Sequence, residues 1–195
     1  MKMIINETAC KKIVSTGSCW EYNDGGYIGE CKEDQLISLN KPFSKYKNKI
    51  FTEVYNICKK KKILFNWLRL FYVYGPGQGK NSIIPLLIDI FKNNKKININ
   101  FPSNKNDFIF IDDVVSIVDK FIVNNYSSGI YNVGTGKSTS ISTILKLIDN
   151  AINGNDMISK KYLNDVDLKK SNQNFFASTK KLKKNLNNID FTQID

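Results

Sequence analysis

Three stretches of this sequence set polar or ionisable residues at the ends of apolar runs, where a bound molecule could be met. The first is Thr16-Gly17-Ser18-Cys19-Trp20-Glu21-Tyr22, which follows Lys12-Ile13-Val14. A hydroxyl at the end of a strand can hydrogen-bond a carbonyl or hydroxyl of a ligand. Read alone, Ser18 is more simply a loop serine that caps backbone groups. The second is Leu68-Arg69-Leu70-Phe71-Tyr72-Val73-Tyr74-Gly75-Pro76-Gly77-Gln78, an apolar run that stops in a rigid Gly-Pro-Gly turn. In open α/β sheets ligands bind at the carboxyl ends of strands, so this loop is a candidate site wall. The third is Gly129-Ile130-Tyr131-Asn132-Val133-Gly134-Thr135-Gly136-Lys137-Ser138-Thr139. Its Gly136-Lys137-Ser138 imitates the end of a Walker A loop. That motif needs a glycine five residues earlier, where Tyr131 stands.

The composition bounds what chemistry is open. There is no histidine in the 195 residues, which excludes His-based triads and His general bases. The four cysteines, Cys10, Cys19, Cys31 and Cys58, form no C-x-x-C pair, and reduced thiols with no metal site are expected. No apolar run reaches ~18 residues, so no membrane span is expected, and the start is too polar for a secretory signal. A cytoplasmic protein is the reading. The net charge of +11 raises a nucleic-acid partner. Against it, the lysines are scattered and Arg69 is the only arginine, although arginine is the preferred reader of phosphates and bases. Lys59 to Lys62 and Lys180 to Lys184 read as solvated helix faces or ends.

The elements that position these residues alternate in type. Lys12 to Ser18 reads as a buried strand entering a polar loop, Asn23-Asp24-Gly25-Gly26 as a turn, and 28–41 as a loop. Pro42 opens a helix that runs from about Phe43 to Lys60, with Ile50, Val54, Ile57 and Cys58 at helical spacing. Ile63 to Phe71 is a strand and Ser82 to Asn93 a helix. Ile97 to Phe101 and Phe108 to Ile111 are short strands. Asp112-Asp113 open a helix from Val114 to Asn124. Ile130 to Val133 is a strand, and Ser140 or Ser142 caps a helix to about Ile152. The tail from Gly154 is polar, with a short helix near Thr179 to Leu186. Strands alternating with helices predict an α/β fold with a parallel sheet.

Several of these residues together resemble one family. Arg69, Phe71 and Val73-Tyr74-Gly75-Pro76-Gly77-Gln78 resemble the R-x-F-x-V-Y-G-P-G-Q signature of the extended short-chain dehydrogenase/reductases, the NAD(P)-dependent epimerases, dehydratases and reductases of nucleotide sugars. Ser18 stands four residues before Tyr22, as that family's site serine or threonine does. Asn106-Asp107-Phe108-Ile109-Phe110-Ile111-Asp112-Asp113-Val114 resembles R-D-F-x-x-V-D-D-V, and 129–136 resembles G-x-Y-N-x-G-x-G. Phe176 to Leu182 resembles A-D-x-S-K-x-x-x-L-G. The match runs from about Lys11 to Leu186. It implies the second half of a doubly wound, Rossmann-like parallel sheet with a small mixed substrate lobe. Residues 1–75 and 106–136 would be the nucleotide-binding remnant, and 76–105 and 137–195 the substrate-binding lobe.

The resemblance also assigns roles. Ser18 and Lys47 would sit in the catalytic site. Lys47, Tyr72, Gly75 and Pro76 would face NAD or NADP. Cys19, Tyr72, Gln78, Ile84 and Asn106 would face a nucleotide-sugar substrate. Asp107 and Asp113 are equally read as structural, fixing a loop and capping a helix. The family's Y-x-x-x-K pair is altered. Phe43 lies four residues before Lys47, 25 after Ser18 and 26 before Arg69, and so takes the position of the family tyrosine. Phenylalanine has no proton to exchange. The alternative is a shifted helix start in which Tyr46 substitutes, with Lys49 or Lys47 nearby. Asn106 stands where the family has an arginine.

Two expectations follow from what the sequence lacks. It contains no G-x-x-G-x-x-G turn, which in the family receives the dinucleotide pyrophosphate. The chain therefore reads as N-terminally truncated relative to the family, with a separately encoded N-terminal half or a homodimer as the expected partner. A catalytically inactive remnant or a sugar-nucleotide-binding subunit is the alternative function.

Overall fold

The computed structural model describes residues 5, 7–22, 28–35, 37, 39–165, 173–186 and 189–194. Strand β1 (Lys12–Ser18) ends in a 3-10 turn (Cys19–Glu21), and β2 is Ile28–Cys31. Helix α1 (Pro42–Lys61) leads into β3 (Leu64–Leu70) and β4 (Tyr72–Tyr74). Then come α2 (Ile83–Lys92), β5 (Lys105–Asn106), β6 (Phe108–Phe110), α3 (Ile111–Val123) and β7 (Gly129–Val133). The chain ends with β8 (Thr139–Ser140), α4 (Ile141–Asn153), α5 (Met157–Asp165), β9 (Asn174–Ala177) and α6 (Lys180–Asn185). The turn expected at Asn23 to Gly26 lies outside the described residues.

The principal sheet has the order β1-β3-β7 and is parallel throughout. Its register pairs Ser18 with Leu70 and Leu70 with Val133, so the three strands finish level. Side chains alternate across β3. Phe65 and Trp67 join Val54 and Cys58 of α1 in one core, while Leu68 joins Ile117 and Phe121 of α3 in another. Helix and sheet thus alternate as the sequence pattern predicts.

Two smaller sheets extend the molecule. One has the order β2-β9-β5-β8 and the other pairs β4 with β6. Helices α2 and α4 bury Leu87, Ile90, Phe91, Ile144 and Leu145 in a third core. Since β9 pairs in parallel with β2, residues near both ends of the sequence share one sheet.

Local chemistry sets the helix boundaries. Pro42 occupies the first turn of α1, Lys59 to Lys61 fall in its last turn, and Lys62 closes it in the left-handed conformation at φ 57°. Asp112 and Asp113 lie in the first turn of α3. Of the two candidate caps for α4, Ser140 serves, accepting the Thr143 N–H at 3.0 Å. Lys12 Nζ reaches across the sheet to carbonyls of the α3 end, Ile122 at 2.8 Å and Asn124 at 2.9 Å.

Three expectations differ from the structure. No strand forms at 97–101. Ile97 and Ile99 instead pack on the α2–α4 core, and the backbone N–H of Ile99 donates to Tyr162 Oη at 2.8 Å. The segment 28–41 contains β2, whose partner is at the far end of the sequence. The polar tail contains α5 and β9 as well as α6.

Candidate active site

The level finish of β1, β3 and β7 gathers the candidate residues at one end of the sheet. Ser18, the last residue of β1, accepts the Trp20 N–H on its Oγ at 3.2 Å. It is therefore the cap of the 3-10 turn, the plain reading of a loop serine. A capping hydroxyl that accepts through a lone pair keeps its own proton to donate.

Helix α1 packs across this end. It starts at Pro42 with no shift, so Phe43 and Lys47 share a helix face and the Lys47 ammonium lies 5.9 Å from the Phe43 ring centre. Lys47 Nζ also donates to the Thr16 carbonyl at 3.1 Å, which sets it at the carboxyl end of β1. Phe43 is 51% exposed and Tyr46 is 68% exposed. Lys47, rather than Lys49, meets the strand.

Beneath Ser18 lies an ionic cluster that the sequence reading missed. Glu21 is fully buried and accepts four contacts: Ser18 N–H at 2.8 Å, Arg69 Nε at 3.0 Å, and Trp67 Nε1 at 3.1 Å to each carboxylate oxygen. The Arg69 guanidinium in turn stacks 4.5 Å from the Tyr22 ring centre. Tyr22 Oη donates to Asn132 Oδ1 at 2.8 Å, and Asn132 Nδ2 donates to the Cys31 carbonyl at 2.8 Å. Burial pushes the Tyr22 phenol up to about 12, although the Arg69 cation pulls the other way. The signal for Glu21 was present as S-x-x-E at residues 18–21, a capping box that the structure forms in full.

The loop after β4 forms a second part of the site. Gly75, Pro76, Gln78 and Ile84 line one open cavity of about 620 Å³ together with Tyr74 and Asp89. Gly75 sits at φ +149°, and a Cβ there would collide with Ile111 Cγ2, so both conformation and space require glycine. Gln78 Nε2 donates to the Val73 carbonyl at 2.9 Å and ties the loop to its own strand.

The remaining candidates lie deeper. Tyr72 is half-buried, edge-on to Phe175, and burial holds its phenol well above the usual range. Cys19 is 2% exposed, packed with Tyr22, Cys31, Phe71 and Phe175, and burial pushes its thiol up. Asn106 is buried, its Oδ1 accepting from Gln173 Nε2 at 2.9 Å. The structure therefore brings Ser18, Phe43 and Lys47 to one strand end, and Gly75, Pro76, Gln78 and Ile84 to one cavity. Cys19 and Asn106 have their side chains turned into packed surroundings.

The two aspartates resolve differently. Asp107 accepts from Thr135 N–H and Oγ1, Gly136 N–H and Ala177 N–H at 2.7 to 3.1 Å, which fixes the loop after β7 against β9. Burial raises its carboxyl against the pull of those donors. Asp113 accepts from Thr192 N–H at 2.9 Å and Thr192 Oγ1 at 3.1 Å, pinning the C-terminal segment to α3.

A parallel sheet flanked by helices, with a hydroxyl and an ammonium at its carboxyl end, defines an α/β protein of Rossmann-like fold. The chain belongs to the NAD dependent epimerase/dehydratase family, whose sequence model matches residues 3–134. It is 36% identical over 162 residues to an ADP-L-glycero-D-manno-heptose-6-epimerase of Brachyspira hyodysenteriae, covering 75% of this chain and 49% of that protein. It is 40% identical over 88 residues to a CDP-abequose synthase of Salmonella muenchen, covering 44% of this chain and 30% of that protein. The chain thus spans 30% to 49% of the length of these two relatives. Its fold matches MoeE5 in complex with UDP-glucuronic acid and NAD at a TM-score of 0.77 and 20% identity, over 95% of this chain and 61% of the other. Among the described residues no helix is long and apolar enough to cross a membrane.

Proposed function

We propose that this chain supplies the sugar-facing half of an NAD(P)-dependent enzyme that modifies a nucleotide-linked sugar as an epimerase, dehydratase or reductase. The observation that carries the reading is the convergence of Ser18 and Lys47 at the carboxyl end of β1, with the Lys47 ammonium 3.1 Å from the Thr16 carbonyl. A bound NAD(P) supplies the hydride chemistry. In this proposal Lys47 holds the nicotinamide ribose and Ser18 donates to a sugar oxygen. Tyr72, Gly75 and Pro76 form the wall on the cofactor side. Gln78 and Ile84 meet the substrate in the cavity, with Cys19 and Asn106 shaping it from behind.

These residues fit the nicotinamide end of a dinucleotide. They do not include a glycine-rich pyrophosphate cradle, so the adenine end is assigned to further polypeptide on the open edge of β1, a separately encoded N-terminal half. A homodimer is the other assembly, and sedimentation distinguishes the two. We assign residues 76–105 and 137–195 to the substrate lobe, for which the α2–α4 core is the support, while Leu182 and Leu186 pack with β3, α3 and β7. The reading implies a cytoplasmic protein with no nucleic-acid partner.

Phe43 favours a second reading, a sugar-nucleotide-binding subunit without turnover. Tyr46, three residues on in the same helix, does carry a phenol. In a cofactor-bound assembly Phe43→Tyr is expected to raise turnover by roughly 100-fold or more, the usual contribution of a positioned acid/base. Equal turnover in both proteins, lost on Tyr46→Phe, would move the proton role to Tyr46. Binding of NAD and UDP-glucose with no turnover in either protein would establish the second reading.

A further inference from the structure

Helix α6 turns one of its lysines inward. Lys180, Lys183 and Lys184 are exposed, whereas Lys181 is half-buried. Its Nζ donates to the Ile130 carbonyl at 2.6 Å and lies 4.3 Å from the Tyr131 ring centre. Among the described residues it forms no ion pair. Burial lowers its ammonium below the usual range, although the Glu33 and Asp34 carboxylates pull the other way. Gly129 leaves the amine its room, since a Cβ there would stand 3.1 Å from Nζ. Lys181 lines an open cavity of about 750 Å³ with Phe51 and Tyr55 of α1 and with Lys32 and Lys180. The cavity borders β7, the opposite edge of the principal sheet from β1, so a strand added beside β1 is separated from it by β1 and β3.

We propose that Lys181 is a modification site, acylated on Nζ by a small acyl phosphate that enters this cavity. A desolvated lysine is a nucleophile once its amine is neutral. With one N–H on the Ile130 carbonyl and one against the Tyr131 ring, the neutral amine keeps its lone pair for attack. The lone pair bonds to the acyl carbon, and the bond from that carbon to the phosphate oxygen breaks. Phosphate leaves with the electron pair and takes up the proton that the nitrogen sheds. The Phe51 and Tyr55 rings, stacked at 5.6 Å, give the acyl chain an apolar wall. The exposed Lys32 and Lys180 give the phosphate its attraction. The product amide retains one N–H for the Ile130 carbonyl and loses the charge over Tyr131. This site is separate from Ser18 and Lys47 and does not rest on the proposed function.

The test is made on the chain itself, incubated at neutral pH with acetyl phosphate, with acetylation of each lysine followed by fragment-ion mass spectrometry. Lys181 is expected to be acetylated several-fold faster than Lys180, Lys183 and Lys184, the exposed lysines of the same helix. A protein carrying Lys32→Gln and Lys180→Gln together separates the cavity from the amine. In it the lead of Lys181 over Lys183 and Lys184 is expected to shrink with acetyl phosphate and to persist with N-hydroxysuccinimide acetate, which carries no phosphate. A Lys181 acetylated no faster than its helix neighbours in the parent overturns the proposal, and that result needs no variant. A lead that the two substitutions leave unchanged with acetyl phosphate overturns the cavity as the place where the acyl phosphate binds. Neither result bears on NAD binding, by which the proposed function is judged.

Discussion

Glu21 is the residue on which the sheet's carboxyl end depends most. It is a buried anion whose partners come from β1 and β3 together, and Arg69 is its buried counter-charge at 3.0 Å. Removing one member of such a pair leaves the other charged and unpaired. Glu21→Ala is therefore expected to cost about 3–5 kcal/mol in urea unfolding, where a surface glutamate would cost almost nothing. Tyr22, stacked on the same guanidinium, makes a pH prediction. Its folded value of about 12 lies above the usual 10, so the unfolded chain loses the phenol proton first. Stability from this group is whole below pH 10 and falls as pH rises toward 12, by up to roughly 2–3 kcal/mol. Tyr22→Phe should be less stable at neutral pH, through loss of the Asn132 bond, yet show a flatter decline between pH 10 and 12. A decline as steep as the parent's would assign the alkaline transition elsewhere, first to Cys31, whose thiol burial also pushes up to about 12.

At the scale of elements, β1 and β3 meet over Gly17. A Cβ at Gly17 would strike Trp67 Nε1 and lie 2.6 Å from Glu21 Oε1. Gly17→Ala should thus destabilise by about 1–3 kcal/mol, although φ at this position is not in the left-handed region. Thermal unfolding checks it, and an unchanged midpoint would mean the indole yields freely. Much of this arrangement was legible in the sequence. Helices α1 to α4 and the three strands of the principal sheet were readable from their apolar patterns, and the Ser18, Phe43 and Lys47 spacing from the sequence alone, whereas α5 was not. What escaped was non-local. β2 is four residues with a glycine inside, and its pairing with β9 depends on a segment near the other end of the chain. The alternation Ile97-Asn98-Ile99-Asn100 imitates a strand, yet its isoleucines serve a helix core. Glu21 carried a capping signal, but its ion pair with Arg69 exists only once β1 and β3 lie side by side.

For the whole molecule, the proposed function requires two separate pieces of surface to act on one ligand. Ser18 and Lys47 stand at the end of β1, while Gly75 to Gln78 stand on the loop after β4 with α2. A competing location is the cavity of about 750 Å³ between α1 and α6, lined by Phe51, Tyr55, Lys180 and Lys181. Burial lowers the Lys181 ammonium there, and its Nζ is already bound to the Ile130 carbonyl at 2.6 Å. The most direct test of the account is a backbone and lysine NMR titration of this chain with UDP-glucose and NAD together. The account predicts shift changes at Ser18, Lys47 and Gly75 to Gln78, weakened by Lys47→Met. Changes confined to Phe51, Tyr55 and Lys181, or none at millimolar ligand, would contradict it.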